Sequence, residues 1–434
     1  MALIDTTIIV ADDLTGANDT ALQYFKSGKS TKIVIDIEQN FSLLENSEAW
    51  AVSTESRNTD AKIATDRAAK ICEKLKNELG SCNFYKKTDS TLRGNICSEI
   101  YSMLEILNKD AVVLAPAYIE EGRATVGSYQ LLHGMIIERT QCALDPKAPI
   151  YDSYIPDILN KNIDSDISDI IGCIGLNIVV KGAANIVGKI KKLIEAGKKI
   201  IVIDSISTVD LEQIALAIDK SGYDILPAGS AGLAQAINNM FHGEKPKQEI
   251  KIPKLPRLII SGSATQLTHN QILKLKEEKP DIFCIDLTTE DIVAKETEGI
   301  VSEISKKLNM GIDVIVHSSD IKKELSQDNA SDILIDAGIA KNDFSSEITN
   351  YLAELTDKIN LASDFILITI GGETSYKCAK KINSKYLKIL DSIMPAIPLC
   401  IDSNNKFIVT KSGNFGASTT LVDIINYFKN NKAR

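Results

Sequence analysis

The feature that most constrains this chain is an alternation. Short runs rich in Ile and Val recur at Thr7–Ala11, Lys32–Asp36, Ala49–Thr54, Ala111–Ala117 and Lys199–Asp204. They return at Leu258–Ser261, Ile282–Leu287, Asp313–His317, Phe365–Ile370 and Phe407–Thr410. Between many of them lie segments of helical period, such as Ala17–Lys26, Asn95–Leu107, Leu211–Ile218 and Ser346–Ile359. Strands that are apolar on both faces and alternate with helices predict an α/β fold with mostly parallel sheets covered by helices.

One segment interrupts the rhythm. His242–Pro256 reads HGEKPKQEIKIPKLP, three prolines among mostly charged residues. Proline restricts the backbone and charge opposes burial, so this stretch predicts an interdomain linker. The expected division is a domain over residues 1–241, a linker over 242–256 and a domain over 257–434, with the active-site cleft between the two domains. Glu120–Pro156 reads as an insertion ending in a DPKAP turn, and Ser319–Phe344 as a polar excursion.

Composition narrows the function classes. With 44% hydrophobic and 25% charged residues in 434, the chain has enough apolar material for a full core and is not a disordered protein. A formal charge of −9 opposes general nucleic-acid binding. The first thirteen residues carry Asp5, Asp12 and Asp13, unlike an export signal, and the longest apolar runs (AVVLAPA, FILITI) fall far short of a membrane span. The eight cysteines contain no CxxC pair, and His133, His242, His269 and His317 form no HExxH or HxH spacing, so a zinc site is not expected. Scattered cysteines in such a chain read as buried thiols in a reducing cytoplasm.

Ligands of open α/β sheets sit beyond the carboxyl ends of the strands, so the residues after each apolar run carry the functional reading. The first run leads into ADDLTGANDT, where Asp12 and Asp13 emerge together. Adjacent carboxylates repel, and are tolerated where one binds a hydroxyl, a metal or an arginine; the plain alternative is a helix cap beside a solvated acid. The third run leads to Arg57, one of only seven arginines among 49 basic residues. Its planar fork can grip a carboxylate or phosphate bidentately, against the alternative of a surface ion pair. In YKKTDSTLRGN, the residues Lys86, Lys87, Thr88, Asp89, Ser90 and Arg93 crowd the entry to a helix near Asn95. Cations, hydroxyls and N–H groups there could hold a small anion, and Asp89 could accept a proton from a sugar hydroxyl. Arg123 is a candidate wall of the same pocket.

The second half carries different chemistry. SGSAT at Ser261–Thr265 includes Ser263, GGET spans Gly371, Gly372, Glu373 and Thr374, and KSGNFG contains Gly413. One small-residue turn before a helix is ordinary packing. Three at equivalent positions suit a backbone-lined polyphosphate cradle. AGSAGLA at Ala228–Ala234 has similar chemistry. Other patterns fail: Gly28–Ser30 has a P-loop tail at the wrong end of a helix, no GxGxxG follows the first strand, and the protein-kinase signatures are absent.

As a set, ADDLTGANDT, SRN, KKTDSTLRGN, PAYIEEGR, DPKAP, AGSAGLA, SGSAT, GGET and KSGNFG resemble, in order and from Ile8 to about Phe428, the four-carbon acid sugar kinase family. The resemblance implies ATP-dependent phosphorylation of a terminal hydroxyl on threonate, erythronate or a 3-oxo-tetronate, by an N-terminal substrate domain and a C-terminal nucleotide domain. It implies substrate contacts at Asp12, Asp13, Arg57, Lys87, Thr88, Asp89, Ser90 and Arg93, with Asp13 or Asp89 as the base. It implies ATP contacts at Ser261, Ser263, Gly371, Gly372, Glu373, Thr374 and Gly413, and Mg²⁺ with the phosphates, its ligands open between candidates such as Glu373 and Asp402. KKTDST is closer to the threonate and erythronate kinases than the CSTFDST-like segment of 3-oxo-tetronate kinases, which favours D-threonate. SGSAT and GGET depart mildly from relatives that carry another serine or cysteine in the first and an aspartate in the second.

Sugar acid and ATP are the expected partners, with a homodimer left open and neither nucleic acid nor membrane expected. Two other classes remain as alternatives: a dehydrogenase or isomerase, against which the absent dinucleotide fingerprint counts, and a two-lobed sugar-acid sensor, which would bind ligand without ATP turnover.

Overall fold

In the computed structural model of the chain, the described residues are 6–41, 47–145, 148–161, 166–240, 250–318, 333–340 and 343–430. The chain divides into two compact units, Met1–Pro246 and Lys247–Arg434. The first eight residues of the expected linker, 242–249, lie outside the described residues, as does most of Ser319–Phe344 and part of the DPKAP turn.

The first unit is built on eight parallel strands. In chain order they are β1 (Thr7–Ala11), β2 (Thr31–Val34), β3 (Ala49–Ser53), β4 (Asn83–Lys87), β5 (Ala111–Ala115), then, after a small antiparallel sheet of β6 (Arg123–Val126), β7 (Tyr129–Leu132) and β8 (Met135–Ile136), β9 (Ile171–Ile174), β10 (Ile200–Ile203) and β11 (Ile225–Gly229). Their spatial order is β2-β3-β1-β4-β11-β5-β10-β9. Every residue of β1, β3 and β5 is buried, as expected of strands covered on both faces. The chain runs from β1 to β2 and β3 on one side, then crosses to β4 on the other. That reversal opens a crevice at the carboxyl ends of β1, β3 and β4.

The second unit repeats the logic. Strands β12 (Arg257–Ser261), β13 (Phe283–Asp286), β14 (Val314–His317), β15 (Ile366–Ile370) and β18 (Phe407–Lys411) run parallel in the order β13-β14-β12-β15-β18. An antiparallel pair, β16 (Tyr386–Met394) and β17 (Ile397–Asp402), extends the sheet beyond β18. Here the direction reverses between β12 and β15, so the crevice lies at their carboxyl ends. Ile259, Ile368, Leu399, Val409 and Ile424 belong to one buried cluster beneath it.

The predicted strands differ from the observed ones by one or two residues at their ends. The insertion Glu120–Pro156 forms the small antiparallel sheet, whose Gln130 side chain donates to the Ser90 carbonyl at 2.7 Å and so braces the loop after β4. AGSAGLA is a packing turn. A Cβ on Gly229 would overlap the Ala115 carbonyl, and Ser230 caps the helix Ala231–Asn239 while donating to the Ala117 carbonyl at 2.6 Å.

Candidate active sites in the two units

At the first crevice the loop after β3 is pinned to the end of β1, because the N–H groups of Ser56 and Arg57 donate to the Asp12 carbonyl at 3.0 and 3.2 Å. This brings Arg57 onto both aspartates. Its Nε and Nη2 donate to the two oxygens of Asp12 at 2.7 and 2.9 Å, and Nη1 to Asp13 at 2.5 Å. Its other N–H groups are not spent on these carboxylates, and a cavity of about 360 Å³ opens against it, lined also by Asn58, Gly94, Asn95, Tyr151 and Lys161. Gly94 is required here: its φ is +92°, and a Cβ would stand 3.2 Å from Asp12 and 3.3 Å from Arg57.

The two neighbouring aspartates differ. Burial raises both, but at Asp12 the charges of Arg57, Lys86 and Lys87 more than reverse it and hold the carboxyl below the usual range. Asp13 receives less help from Arg57 and feels the Asp12 charge, so burial leaves it above the usual range. Asp13 also caps the helix Leu14–Lys26 through Gly16 N–H at 2.7 Å. Asp89 is held well below the usual range, burial being outweighed by Arg93 and Arg57. Thr91 and Arg93 donate to its Oδ2 at 2.6 and 2.7 Å, and Arg93 also reaches Asp145 at 2.9 Å.

Lys87 is different from the arginines. It is buried, its Nζ donates to the Thr88 carbonyl at 2.8 Å, and no carboxylate among the described residues forms an ion pair with it. The Thr88 hydroxyl is buried without a hydrogen-bond partner, and Ser90 is half-buried beside it. Beneath them, Lys86 and Glu99 form a fully buried ion pair at 3.0 Å, with Ser56 donating to Glu99. The sequence reading missed Glu99; its signal is a lone acid on the otherwise apolar face of SEIYSMLEI. It also missed Asp19, raised to about 6 by burial and by Glu121 against the pull of Lys87. Arg123 pairs with Glu121 at 3.0 Å.

In the second unit the three small-residue turns meet. A Cβ on Gly262 would overlap the Thr374 hydroxyl, and one on Gly413 would overlap the Ser263 hydroxyl. Gly371, at φ +110°, approaches Thr374 and the Ser263 N–H. Thr265 and Thr268 donate to the Gly413 carbonyl at 3.1 and 2.9 Å. Gly371 stands at the N-cap of the helix Gly372–Lys381 and has no side chain to cap it. The buried Ser261 hydroxyl has no partner. Lys411, at the end of β18, is also buried; among the described residues its Nζ donates to the Ser412 carbonyl, at 2.6 Å, and pairs with no carboxylate, and burial pulls it down to about 8. Sequence reasoning quoted its motif without singling it out.

The two metal candidates are already engaged. Glu373 accepts from Thr349 at 3.0 Å and pairs with Lys377 at 2.9 Å. Asp402 lies at the opposite end of β18 from Gly413, where it accepts from Ser384 and from the N–H groups of Asn404 and Lys406 to form a turn. Among the described residues, no three His, Cys, Asp or Glu side chains are grouped to hold a metal ion, and no described helix is long and apolar enough to cross a membrane.

Two doubly wound units, one with a crevice lined by charged side chains and one with glycine-lined turns, define a two-unit α/β protein. Residues 7–237 match the family model described as a sugar-binding N-terminal domain, and residues 258–421 match one described as a nucleotide-binding C-terminal domain. The chain belongs to the four-carbon acid sugar kinase family. A D-erythronate kinase from Heliobacterium modesticaldum is 26% identical over 98% of this chain and 97% of its own length. A D-threonate kinase from Salmonella typhimurium is 26% identical over 97% and 98%, and a 3-oxo-tetronate kinase from Haemophilus influenzae 26% over 94% and 96%. The crystal structure of a Haemophilus influenzae protein of the DUF1537 family shares the fold, with a TM-score of 0.75 at 24% identity over 97% of this chain and all of the other.

Proposed function

We propose that this phosphotransferase moves the γ-phosphoryl group of ATP onto the terminal hydroxyl of a four-carbon sugar acid, converting D-threonate to D-threonate 4-phosphate in the cytoplasm. The observation that carries this reading is a match between the crevices. Among the described residues, each has a buried cation without an acidic partner and a buried hydroxyl without a hydrogen bond: Lys87 with Thr88, and Lys411 with Ser261. Buried polar groups are completed by protein, water or ligand, and a hydroxyl beside a buried cation at a strand end suits a ligand that is anionic.

Lys87, Thr88 and the uncommitted N–H groups of Arg57 bind the acid's carboxylate and neighbouring hydroxyls, with Ser90 and the Asp89–Arg93 pair fixing the loop that presents them. Asp13 accepts the proton of the terminal hydroxyl. It is favoured over Asp89 because its affinity for protons is raised, whereas Asp89 has its charge locked by Arg93. Arg57 and Asp12 hold Asp13 in place. In the second unit, the Gly371–Thr374 helix start, Ser261, Ser263 and Gly413 receive the phosphates, and Lys411 counters their charge. Mg²⁺ bound with the nucleotide would supply charge neutralisation on the phosphates, and Glu373 is the carboxylate at the cradle that would help to hold it. Positioning and electrostatics supply most of the rate in such transfers.

The choice of D-threonate over D-erythronate and the 3-oxo-tetronates rests on the Lys86–Ser90 segment. It is tested by a coupled ADP-release assay across D- and L-threonate, D- and L-erythronate and the 3-oxo-tetronates. The highest kcat/KM is expected with D-threonate; a higher value with another acid overturns the assignment.

A further inference from the structure

The second unit holds a cluster that the kinase reading does not use. The parallel register of β13 and β14 sets Cys284 opposite Ile315 and Asp286 opposite His317. Across this step Cys284 Sγ lies 3.3 Å from His317 Nε2, and His317 Nδ1 lies 3.1 Å from Asp286. His317 is fully buried, Cys284 is half-buried on the edge strand, and Asp286 is exposed. The imidazole therefore stands between a thiol and a carboxylate, one ring nitrogen turned to each. That is the arrangement that activates a cysteine nucleophile. Among the described residues these side chains are not grouped to hold a metal ion.

We propose that Cys284 is a thiolate modification site for small electrophiles of the hydroperoxide class. The sulfur lies within hydrogen-bond distance of His317 from β14 and feels the positive charge of Lys276 from the helix Gln266–Glu278, while Asp286 faces the far side of the imidazole. Burial alone raises the thiol, and these cations reverse it; the imidazole, with Asp286 behind it, is raised to about 9 and so carries its proton at neutral pH. In the reaction the sulfur attacks the terminal peroxide oxygen. An S–O bond forms as the O–O bond breaks, the sulfur is oxidised to a sulfenic acid, and the peroxide is reduced to water or an alcohol that takes its proton from His317.

Cys82 and Cys173 are also half-buried thiols, and Cys82 is pushed up to about 11 by burial, so both serve as internal controls. The full chain is treated with iodoacetamide over pH 6–9.5, and separately with hydrogen peroxide followed by dimedone, and each cysteine is quantified by mass spectrometry. At pH 7, Cys284 is expected to alkylate about 10-fold or more faster than Cys82 and Cys173, and to be the main dimedone adduct. Because His317 is buried, the variants are Asp286→Asn and Lys276→Met, both expected to slow Cys284 alkylation several-fold at pH 6–7 and little at pH 9.5. Alkylation of Cys284 no faster than the controls, absence of its dimedone adduct, or an unchanged rate in both variants overturns the proposal.

Discussion

Gly16 and Lys87 share one space: a Cβ on Gly16 would stand 3.1 Å from the Lys87 ammonium and 2.9 Å from the Asp13 carboxylate that caps the same helix turn. The missing side chain leaves a buried cation and the candidate base on either side of one small space at the end of β1. Charge-assisted hydrogen bonds contribute about 1.5–3 kcal/mol, so Lys87→Met should raise KM for the sugar acid roughly 10- to 150-fold while leaving KM for ATP within about twofold. Steady-state kinetics with each substrate varied separately checks this.

Asp13 and Asp89 should separate in their pH behaviour. Replacing a general base costs about 10²–10⁴ in rate, so Asp13→Asn should lower kcat by that range. In the wild type, kcat should rise with pH through a pKa above the ordinary aspartate value of 3.8, since the base must be unprotonated to act. That limb should vanish in Asp13→Asn and persist in Asp89→Asn, whose loss should appear instead as a higher KM through a loosened Thr88–Arg93 loop.

The convergence of three turns makes the cradle sensitive to single methyl groups. Gly262→Ala drives a Cβ into Thr374. Overpacking of this kind costs about 1–3 kcal/mol, which corresponds to a rise in KM for ATP of roughly 5- to 150-fold with KM for the acid little changed. Gly188→Ala, with open space around its Cβ, is the matched control.

The burial of Lys411 makes stability depend on pH. Its folded pKa of about 8 lies below the ordinary lysine value of 10.5, so the unfolded chain binds more protons between the two. Stability therefore carries the full penalty of a buried ammonium below about 8 and recovers as pH climbs towards 10.5. Lys411→Met should be the more stable protein at pH 7, with the gap to wild type narrowing by pH 10 in urea denaturation; a constant gap contradicts this placement of Lys411.

Much of the fold is legible in the sequence because parallel strands buried on both faces must be apolar throughout, as in Thr7–Ala11 and Ile366–Ile370. The pair β16 and β17 was not, because Tyr386–Met394 is half-exposed over most of its length and lacks a continuous apolar run. Asp12, Asp13, Arg57 and the Lys86–Arg93 segment stand out as clustered charges at strand ends. Their pairings do not, since they join Asp12 to Arg57 across 45 positions and Lys86 to Glu99 through the packing of a helix. Cys284 and His317 escape spacing rules for the same reason: strand register, not sequence separation, brings them together.

The most direct test of the account is ³¹P NMR of the protein incubated with ATP, Mg²⁺ and D-threonate. The account predicts ADP together with a phosphomonoester resonance split into a triplet by the two protons of the terminal carbon. A doublet would place the phosphoryl group on a secondary hydroxyl and contradict a terminal-hydroxyl kinase, and inorganic phosphate alone would mean that D-threonate does not accept the group and contradict its assignment as the substrate.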